Sequence, residues 1–170
     1  MKVLGLASNA VRLADPTPLW AQLYAEEAER LKKVLGPKLL GLEHYGSTSV
    51  SNLKAKPILD MLAGIENLED GPLLAAPLAE LGYEYVGADI VPGHHLFGKG
   101  LERTHLLHVV EYQSAIWTEA LWFRDALRAS PALAHEYEAL KIGLSEQYAE
   151  SRAEYTASKA SFIQSVLDRR

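Results

Sequence analysis

The sequence predicts a single domain of the α/β (α+β) class, in which helices pack on a mixed β-sheet. Of the 170 residues, 48% are hydrophobic, which is enough for one well-formed core. Short apolar segments alternate with helical patterns as far as residue 113, and the remainder has a helical pattern throughout. We therefore expect one domain over residues 1–170, with a sheet-containing part at about 1–113 and a helical part at about 114–170.

The first helix is predicted to begin at Thr17, a candidate N-cap residue followed by Pro18 at the first helical position. Apolar residues then recur at helical spacing as far as residue 35. Gly36 and Pro37 supply the stop signal. This pattern is typical of an amphipathic helix that packs one face on the rest of the protein.

Two apolar segments, residues 39–45 and 58–65, are short enough to be strands. The first runs into the sequence Gly46-Ser47-Thr48-Ser49, where small and hydroxyl residues predict a turn. Asp60 is the only charged residue of the second segment. Burying an aspartate in a strand is costly unless it is paired or bound to a metal, so Asp60 is a candidate site residue, with a salt bridge to Lys56 as the structural alternative.

The middle of the chain predicts one helix and two strands. Residues 70–81 have a helical pattern, and Pro77 inside it implies a kink or a late start. Residues 83–86 and 105–111 predict strands, with the glycine-rich residues 92–100 as a hairpin or flap between them. The resulting sheet is expected to be mixed.

The C-terminal part predicts three helices, at about residues 114–129, 131–148 and 152–168. Ser130 followed by Pro131 marks the start of the second. Ser151 and Glu154 fit a capping box for the third.

Composition excludes several classes of function. With 17 basic and 22 acidic residues the net charge is −5, so the protein as a whole repels the phosphate backbone of a long nucleic acid. A local basic pocket for a small nucleotide is compatible with this charge. Cysteine is absent, which excludes disulfides, thiolate zinc sites and a cysteine nucleophile. The apolar start of the chain is too short and interrupted for a membrane span or signal peptide, so we expect a cytoplasmic protein.

Two ordered motifs stand out: residues 43–50 read Glu-His-Tyr-Gly-Ser-Thr-Ser-Val, and residues 53–60 read Leu-Lys-Ala-Lys-Pro-Ile-Leu-Asp. Together they resemble the signature of the GrpB-like family. The resemblance continues over nearly the whole chain, through Lys99-Gly100, residues 104–109, Phe123-Arg124-Asp125, Tyr137 with Lys141, and Tyr155 with Lys159.

The resemblance implies the fold of the DNA polymerase β-like nucleotidyltransferases, whose mark is a Gly-Ser turn followed by a strand with two carboxylates. In such enzymes the glycine turn approaches a phosphate, and the paired carboxylates hold Mg²⁺ or Mn²⁺ against a nucleoside triphosphate. Gly46, Ser47 and Asp60 fit this pattern. The position of the second carboxylate is occupied by Leu62, which argues against nucleotidyl transfer.

On this resemblance Asp60 is the expected catalytic and metal-binding residue. The metal site is expected to be completed from a neighbouring strand, by Glu43, His108 or Glu111. Binding of the phosphorylated ligand is expected at Gly46, Ser47, Ser49 and Lys56.

Four histidines lie in the glycine-rich stretch and in the strand predicted after it. His105 and His108 fall on opposite faces of one strand, so only one of them faces a given cleft. The resemblance favours His108. His94 and His95 form a doublet in the glycine-rich stretch, which is typical of a solvated loop, and no histidine spacing supports a zinc site.

Three cations of the helical part form a second group of candidates. Arg124, Lys141 and Lys159 each lie three or four residues from an apolar or aromatic neighbour on the same predicted helix. One explanation is that their stems pack along the core edge while their charged ends reach water. Another is convergence on an anion, in which case at least two of the three turn toward Gly46. For Arg124 a further alternative is an internal pair with Asp125, because a partly buried guanidinium usually finds a carboxylate.

Two classes of function follow. The first is a nucleotidyltransferase-like enzyme, or a degenerate relative of one, that binds a small phosphorylated or nucleotide ligand with a divalent metal. The second is a non-catalytic binding or regulatory module that has lost the second carboxylate, or an accessory partner of a CoA-pathway kinase, to which such domains are also joined. A serine hydrolase lacks support because no Gly-x-Ser-x-Gly motif is present.

Overall fold

The sheet contains five strands in the order β1-β2-β5-β4-β3, in a computed structural model that describes residues 2–88 and 90–170. The strands are β1 (Gly41–Tyr45), β2 (Leu59–Ile65), β3 (Tyr83–Gly87), β4 (His95–Lys99) and β5 (His105–Glu111). The pair β2 and β5 is parallel, and the other pairs are antiparallel. The prediction of a mixed sheet is confirmed.

The helices flank this sheet and follow it in sequence. They are α1 (Leu19–Leu35), α2 (Ala75–Ala79), α3 (Ala115–Ala129), α4 (Pro131–Gln147), α5 (Arg152–Ser158) and α6 (Ala160–Leu167). Short 3-10 turns cover Gly36–Lys38, Ser47–Ser49 and Leu68–Leu74. No helix within the described residues is long and apolar enough to cross a membrane.

Serine caps begin the C-terminal helices as the sequence predicts. The side chains of Ser114, Ser130 and Ser151 each accept a hydrogen bond from the backbone N–H three residues further along. At α1, the hydroxyl of Thr17 accepts from the N–H of Leu19, so the helix starts slightly later than predicted.

The structure corrects three expected elements. The glycine-rich residues 92–100 contribute β4, which pairs with β3 and β5 and is buried along most of its length, so they are not only a hairpin or flap. The helix expected at 70–81 is α-helical only over Ala75–Ala79, so of the two outcomes that Pro77 implied, a kink or a late start, the late start is found. The last predicted helix is divided at Lys159 into α5 and α6.

The two faces of the sheet pack on different helices. One face, with Met61, Ala63 and Leu107, is buried against α1 and α2. The other face, with Leu62 and Val110, packs on Trp117 of α3. A further cluster joins the residues after the Gly46 turn to α3, α4 and α6, and contains Val50, Leu53, Leu127, Tyr137 and Phe162. The C-terminal helices are therefore held to the sheet near the end of β1 and the start of β2.

Candidate functional site

The turn after β1 requires glycine at its first residue. Gly46 has φ +70° and ψ −177°, a backbone region open essentially only to glycine. A Cβ atom at this position would also lie 2.7 Å from Oδ2 of Asp60. The backbone N–H and the hydroxyl of Ser49 both donate to the Gly46 carbonyl, at 3.1 and 2.5 Å, and close the turn. The turn and the aspartate are therefore packed directly against each other.

Asp60 lies near the start of β2, opposite Tyr45 of β1. Its side chain is 25% exposed, and Oδ1 is 3.7 Å from Nε2 of His108 on β5. The Nδ1 atom of His108 is 3.2 Å from Nδ1 of His94, which places a chain of two imidazoles behind the carboxylate. Because Leu62 pairs with His108 across the parallel strands, the Asp60 and His108 side chains share one face of the sheet.

The carboxyl of Asp60 is held in its ionised form. Burial acts to raise its pKa, but the neighbouring imidazole of His108, followed by the charges of Lys56 and Lys159, lowers the pKa below its usual value. At His94, burial and then the charge of His108 lower the pKa to about 4, so its imidazole is neutral at neutral pH.

Two lysines share one aromatic ring beside Asp60. The Nζ atom of Lys159 lies 4.5 Å from the ring centroid of Tyr155, and that of Lys56 lies 5.5 Å from the same centroid. Both lysines are half-buried. Among the described residues, neither ammonium group has an acidic partner within 4.0 Å. Two positive groups thus stand close together without a salt bridge.

A third lysine is fully buried behind this pair. Lys141 lies over the ring of Tyr137, with Nζ 5.1 Å from its centroid, and donates a hydrogen bond to the backbone carbonyl of Lys54. Burial and then the charge of Lys159 lower the pKa of Lys141 to about 7. Burial and then the charge of Lys56 lower the pKa of Lys159 to about 7, against the opposing effect of Asp60. Burial also lowers the pKa of Lys56.

Three tyrosines that the sequence did not single out as site residues lie near Asp60. Tyr45 packs edge-on against His108, with 5.2 Å between ring centroids. Burial raises the pKa of Tyr137, and Ser47 acts in the opposite direction as a hydrogen-bonding partner of its hydroxyl. Tyr155 carries the two lysines. The sequence contained a signal for two of these tyrosines. Tyr137 precedes Lys141 by four residues, and Tyr155 precedes Lys159 by four residues, each pair within one predicted helix.

Arg124 and Glu43 are engaged with each other and not with Asp60. The guanidinium of Arg124 donates to Glu43 at 2.6 Å, to Asp125 at 2.8 Å and to the backbone carbonyl of His44 at 3.0 Å. These contacts fix α3 to β1. The expectation that Arg124 turns a free charge toward a ligand at Gly46 is therefore corrected, and Glu43 is drawn away from any ion at Asp60.

Two other expectations also need correction. Glu111 is exposed and lies on the opposite face of β5 from His108, because their positions differ by an odd number of residues. His94 and His95 are not solvated: each is 8% exposed. His94 contacts His108, and Nε2 of His95 lies 2.7 Å from the carbonyl oxygen of Leu68.

The residues around Asp60 are poorly suited to a divalent metal. Within residues 2–88 and 90–170 there is no group of three or more His, Asp or Glu side chains placed to hold an ion. Leu62 is fully buried against Val110 and Trp117. Mg²⁺ requires several oxygen ligands, and a single carboxylate beside two lysines does not supply them. The binding of Mg²⁺ or Mn²⁺ stays a prediction, and no chemical step is derived from it.

A groove borders the Gly46 turn without including the lysine pair. It has a volume of about 780 Å³ and is bordered by His44, Thr48, Ser49 and Arg128, among others, but not by Asp60, Lys56 or Lys159. The guanidinium of Arg128 donates a hydrogen bond to the backbone carbonyl oxygen of Ser49, with Nη2 2.9 Å from that oxygen. We place the candidate site at Asp60 because groups with shifted pKa values converge there.

A family model described as "GrpB protein" matches residues 10–169. The chain belongs to the GrpB family. It is 35% identical over 172 residues to the glutamate-rich protein GrpB of Alkalihalophilus pseudofirmus, an alignment that covers 98% of this chain and 99% of that protein. The crystal structure of GrpB from Enterococcus faecalis has a TM-score of 0.83 and 36% identity, over 93% of this chain and 96% of that one. The resemblance to the GrpB-like family is thus confirmed.

One further similarity covers only part of the GrpB domain. An alignment of 91 residues, which covers 50% of this chain, shows 32% identity to the dephospho-CoA kinase of Mycolicibacterium paratuberculosis. The matched region is 22% of that kinase. The similarity therefore concerns a segment of the kinase chain and not the whole protein.

Proposed function

We propose that the cleft between the Gly46 turn, Asp60 and Tyr155 binds a small phosphorylated molecule, with nucleotides as the first class to test. The observation that carries the proposal is the pair Lys56 and Lys159, which share the ring of Tyr155 without an acidic partner within 4.0 Å among the described residues. An anion between them would supply that partner.

The electrostatics favour an anion over a cation. Burial lowers the pKa of Lys56, Lys141 and Lys159, and nearby positive charges lower each further. That charge comes from Arg152 at Lys56, from Lys159 and Lys56 at Lys141, and from Lys56 at Lys159. Asp60 is the one carboxylate whose charge opposes this lowering at both Lys56 and Lys159. A phosphate group would restore the charged forms of the lysines and form charge-assisted hydrogen bonds with them.

The Gly46 turn supports a ligand of limited size. Ser47 and the hydroxyl of Tyr137 provide polar groups beside the turn. Tyr45 is half-buried and offers apolar surface on which a base or another planar group can stack, whereas the ring of Tyr155 is buried and carries the two lysines. This combination of cations, hydroxyl groups and aromatic rings suits a phosphate joined to a flat organic moiety.

A binding role has more support than nucleotidyl transfer. The nucleotidyltransferase grouping implied by the family predicts two carboxylates on β2, but Leu62 occupies the second position and is fully buried. Glu43, the acidic residue nearest in register to Leu62, is paired with Arg124. Both observations favour a module that binds its ligand without metal-dependent transfer.

The partial similarity to a dephospho-CoA kinase supports a second candidate function, in which the domain assists a kinase of this class. Dephospho-CoA itself combines a pyrophosphate with an adenine base, which matches the groups that line the cleft. The ligands to test are therefore dephospho-CoA, ATP, ADP and inorganic pyrophosphate.

The test is thermal unfolding with each ligand, first in EDTA and then with Mg²⁺ or Mn²⁺. We expect at least one phosphorylated ligand to raise the midpoint in EDTA, since a ligand at 100 times its Kd adds about 2.7 kcal/mol to the free energy of unfolding. Lys56→Gln should weaken that ligand at least about tenfold, as loss of a charge-assisted contact does. The matched control, Lys33→Gln, removes an exposed lysine from α1 and should change nothing.

Two results would contradict the proposal. If none of the ligands shifts the midpoint, the cleft does not bind this class of molecule. If a shift appears only with Mg²⁺ or Mn²⁺ and survives Lys56→Gln, a metal supplies the positive charge and not the lysines.

A further inference from the structure

We infer that Lys159 is a nucleophilic amine that forms an imine with the carbonyl group of a phosphorylated aldehyde or ketone bound in the cleft. The inference rests on the proposed function, because it takes the phosphate of that ligand to be held by the same group of lysines. It goes beyond that function by naming a covalent step, the residue that performs it and the class of substrate.

The position of Lys159 is the first argument. The residue lies at the junction of α5 and α6, and its amine is 4.5 Å from the Tyr155 centroid. The residue is half-buried and not sealed within the core. Lys141 differs on this point: it is 1% exposed, and its amine is hydrogen-bonded to the carbonyl of Lys54.

The surroundings of Lys159 are the second argument. An imine forms only from the neutral amine, and a lysine becomes neutral when it is desolvated or stands next to another cation. Both conditions are met here, since Lys56 faces the same tyrosine ring. Asp60 opposes the effect, yet the pKa of Lys159 is about 7. At pH 7 about half of the Lys159 side chains are then neutral, compared with well under ~0.1% for an ordinary lysine.

The chemistry requires no other reactant. The lone pair on Nζ attacks the carbonyl carbon, a C–N bond forms, and one proton moves from nitrogen to the former carbonyl oxygen. Loss of the second nitrogen proton and of the hydroxyl group then releases one molecule of water and leaves a C=N bond. Nothing is oxidised or reduced. Lys56 faces the same tyrosine ring and is available to hold the phosphate.

Pyridoxal 5'-phosphate is a suitable probe, because it carries a phosphate and an aldehyde on a planar ring. The full chain is incubated with the probe at pH 7, reduced with borohydride and analysed by peptide mass spectrometry. We expect Lys159 to be modified at least tenfold faster than Lys54, an exposed lysine paired with Asp15. Lys159→Arg should abolish this fast modification, whereas the matched variant Lys54→Arg should leave it unchanged.

Binding of pyridoxine 5'-phosphate, which lacks the carbonyl group, separates the inference from the proposed function. If this compound binds but Lys159 is modified no faster than Lys54, the imine is refuted and phosphate binding stands. If neither this compound nor pyrophosphate binds or protects Lys159, while acetaldehyde with cyanoborohydride modifies it selectively, the proposed phosphate site is refuted. In that case the inference of a phosphorylated substrate is refuted with it. Fast modification that pyrophosphate prevents supports both.

Discussion

The Nε2 atom of His108 lies 3.7 Å from Oδ1 of Asp60, across the parallel pair of strands β2 and β5. The contact links the one carboxylate of the cleft to an imidazole that is itself backed by His94. The positive charges of Lys56 and Lys159, which lie over the Tyr155 ring, also lower the pKa of Asp60. Asp60 is therefore the negative centre of a positively charged site, and its removal tests the whole arrangement.

We predict that Asp60→Asn lowers the free energy of unfolding at pH 7 by about 1–3 kcal/mol, the cost of leaving a partner without its charged group. Because the pKa of Asp60 is lowered in the folded state, its contribution is complete above the usual value of 3.8 and is lost as the pH falls through the lower folded value. Urea unfolding at pH 7 and pH 3 measures both effects.

Asp15→Asn is the matched control for Asp60→Asn, because Asp15 is 83% exposed and pairs with a lysine at the surface. It should cost less than about 1 kcal/mol at either pH. A destabilisation by Asp60→Asn that does not shrink in acid would show that the carboxylate is protonated in the folded protein at neutral pH.

Gly46→Ala should be strongly destabilising and should also weaken any ligand of the cleft. The new Cβ atom would lie 2.7 Å from Oδ2 of Asp60, and the backbone at φ +70° disfavours any other residue. Gly36→Ala is the control, because Gly36 has φ +52° but nothing within 4 Å of its Cβ position. It should carry only the backbone cost of about 1–3 kcal/mol. Equal losses in the two variants, measured by urea unfolding, would rule out a steric role for Asp60.

The sequence predicted the sheet and the Asp60–His108 side of the site, but not the groups that surround them. Short apolar segments located β1, β2, β3 and β5, whereas β4 was hidden because its glycine and histidine residues are typical of loops. The histidine doublet was misassigned for the same reason. Tyr155 was not selected because a buried tyrosine on a helix is usually core, and only the fold brings Lys56 to its ring.

Glu27 offers a test of the opposite face of the sheet. Its side chain is 1% exposed and binds Lys99 at 2.7 Å and the hydroxyl of Tyr83 at 2.8 Å. Glu27→Gln should lower the free energy of unfolding by about 3 kcal/mol, because it leaves the ammonium group of Lys99 unpaired. Burial acts to raise the pKa of Glu27, but Lys99 and Tyr83 lower it, so the difference should decrease as the pH falls below about 4.5.

Glu29→Gln is the matched control on the same helix. Glu29 is 76% exposed and pairs with Lys32 at the surface, so its loss should cost less than about 1 kcal/mol. Comparable losses in both variants would indicate that the buried network around Glu27 contributes no more than a surface ion pair.

Lys159→Met should stabilise the protein near neutral pH, since a ligand site often trades stability for function. The pKa of Lys159 is about 7 in the folded state, below its usual 10.5. Lysine at this position therefore opposes folding fully below pH 7, and the penalty declines as the pH rises from about 7 toward 10.5. We expect a gain of at least about 1 kcal/mol at pH 7 that shrinks by pH 10. The exposed control Lys33→Met should show neither change.

Arg124→Ala should separate a structural cation from those of the cleft. The Arg124 side chain is 10% exposed and binds Glu43, Asp125 and the His44 carbonyl, so its loss frees α3 from β1. We expect the free energy of unfolding to fall by about 2–4 kcal/mol. Arg124→Lys should recover only part of this loss, because an ammonium group cannot reproduce the planar guanidinium contacts.

Ligand affinity provides the contrast for Arg124→Ala. The guanidinium binds Glu43, Asp125 and the His44 carbonyl, so the Kd of a phosphorylated ligand should change less than about twofold, whereas Lys56→Gln should raise it at least about tenfold. Isothermal titration well below the unfolding midpoint of each variant keeps stability from affecting the comparison. If Arg124→Ala weakened the ligand as much as Lys56→Gln, the guanidinium would have to leave Glu43 on binding, and the cleft would extend to β1.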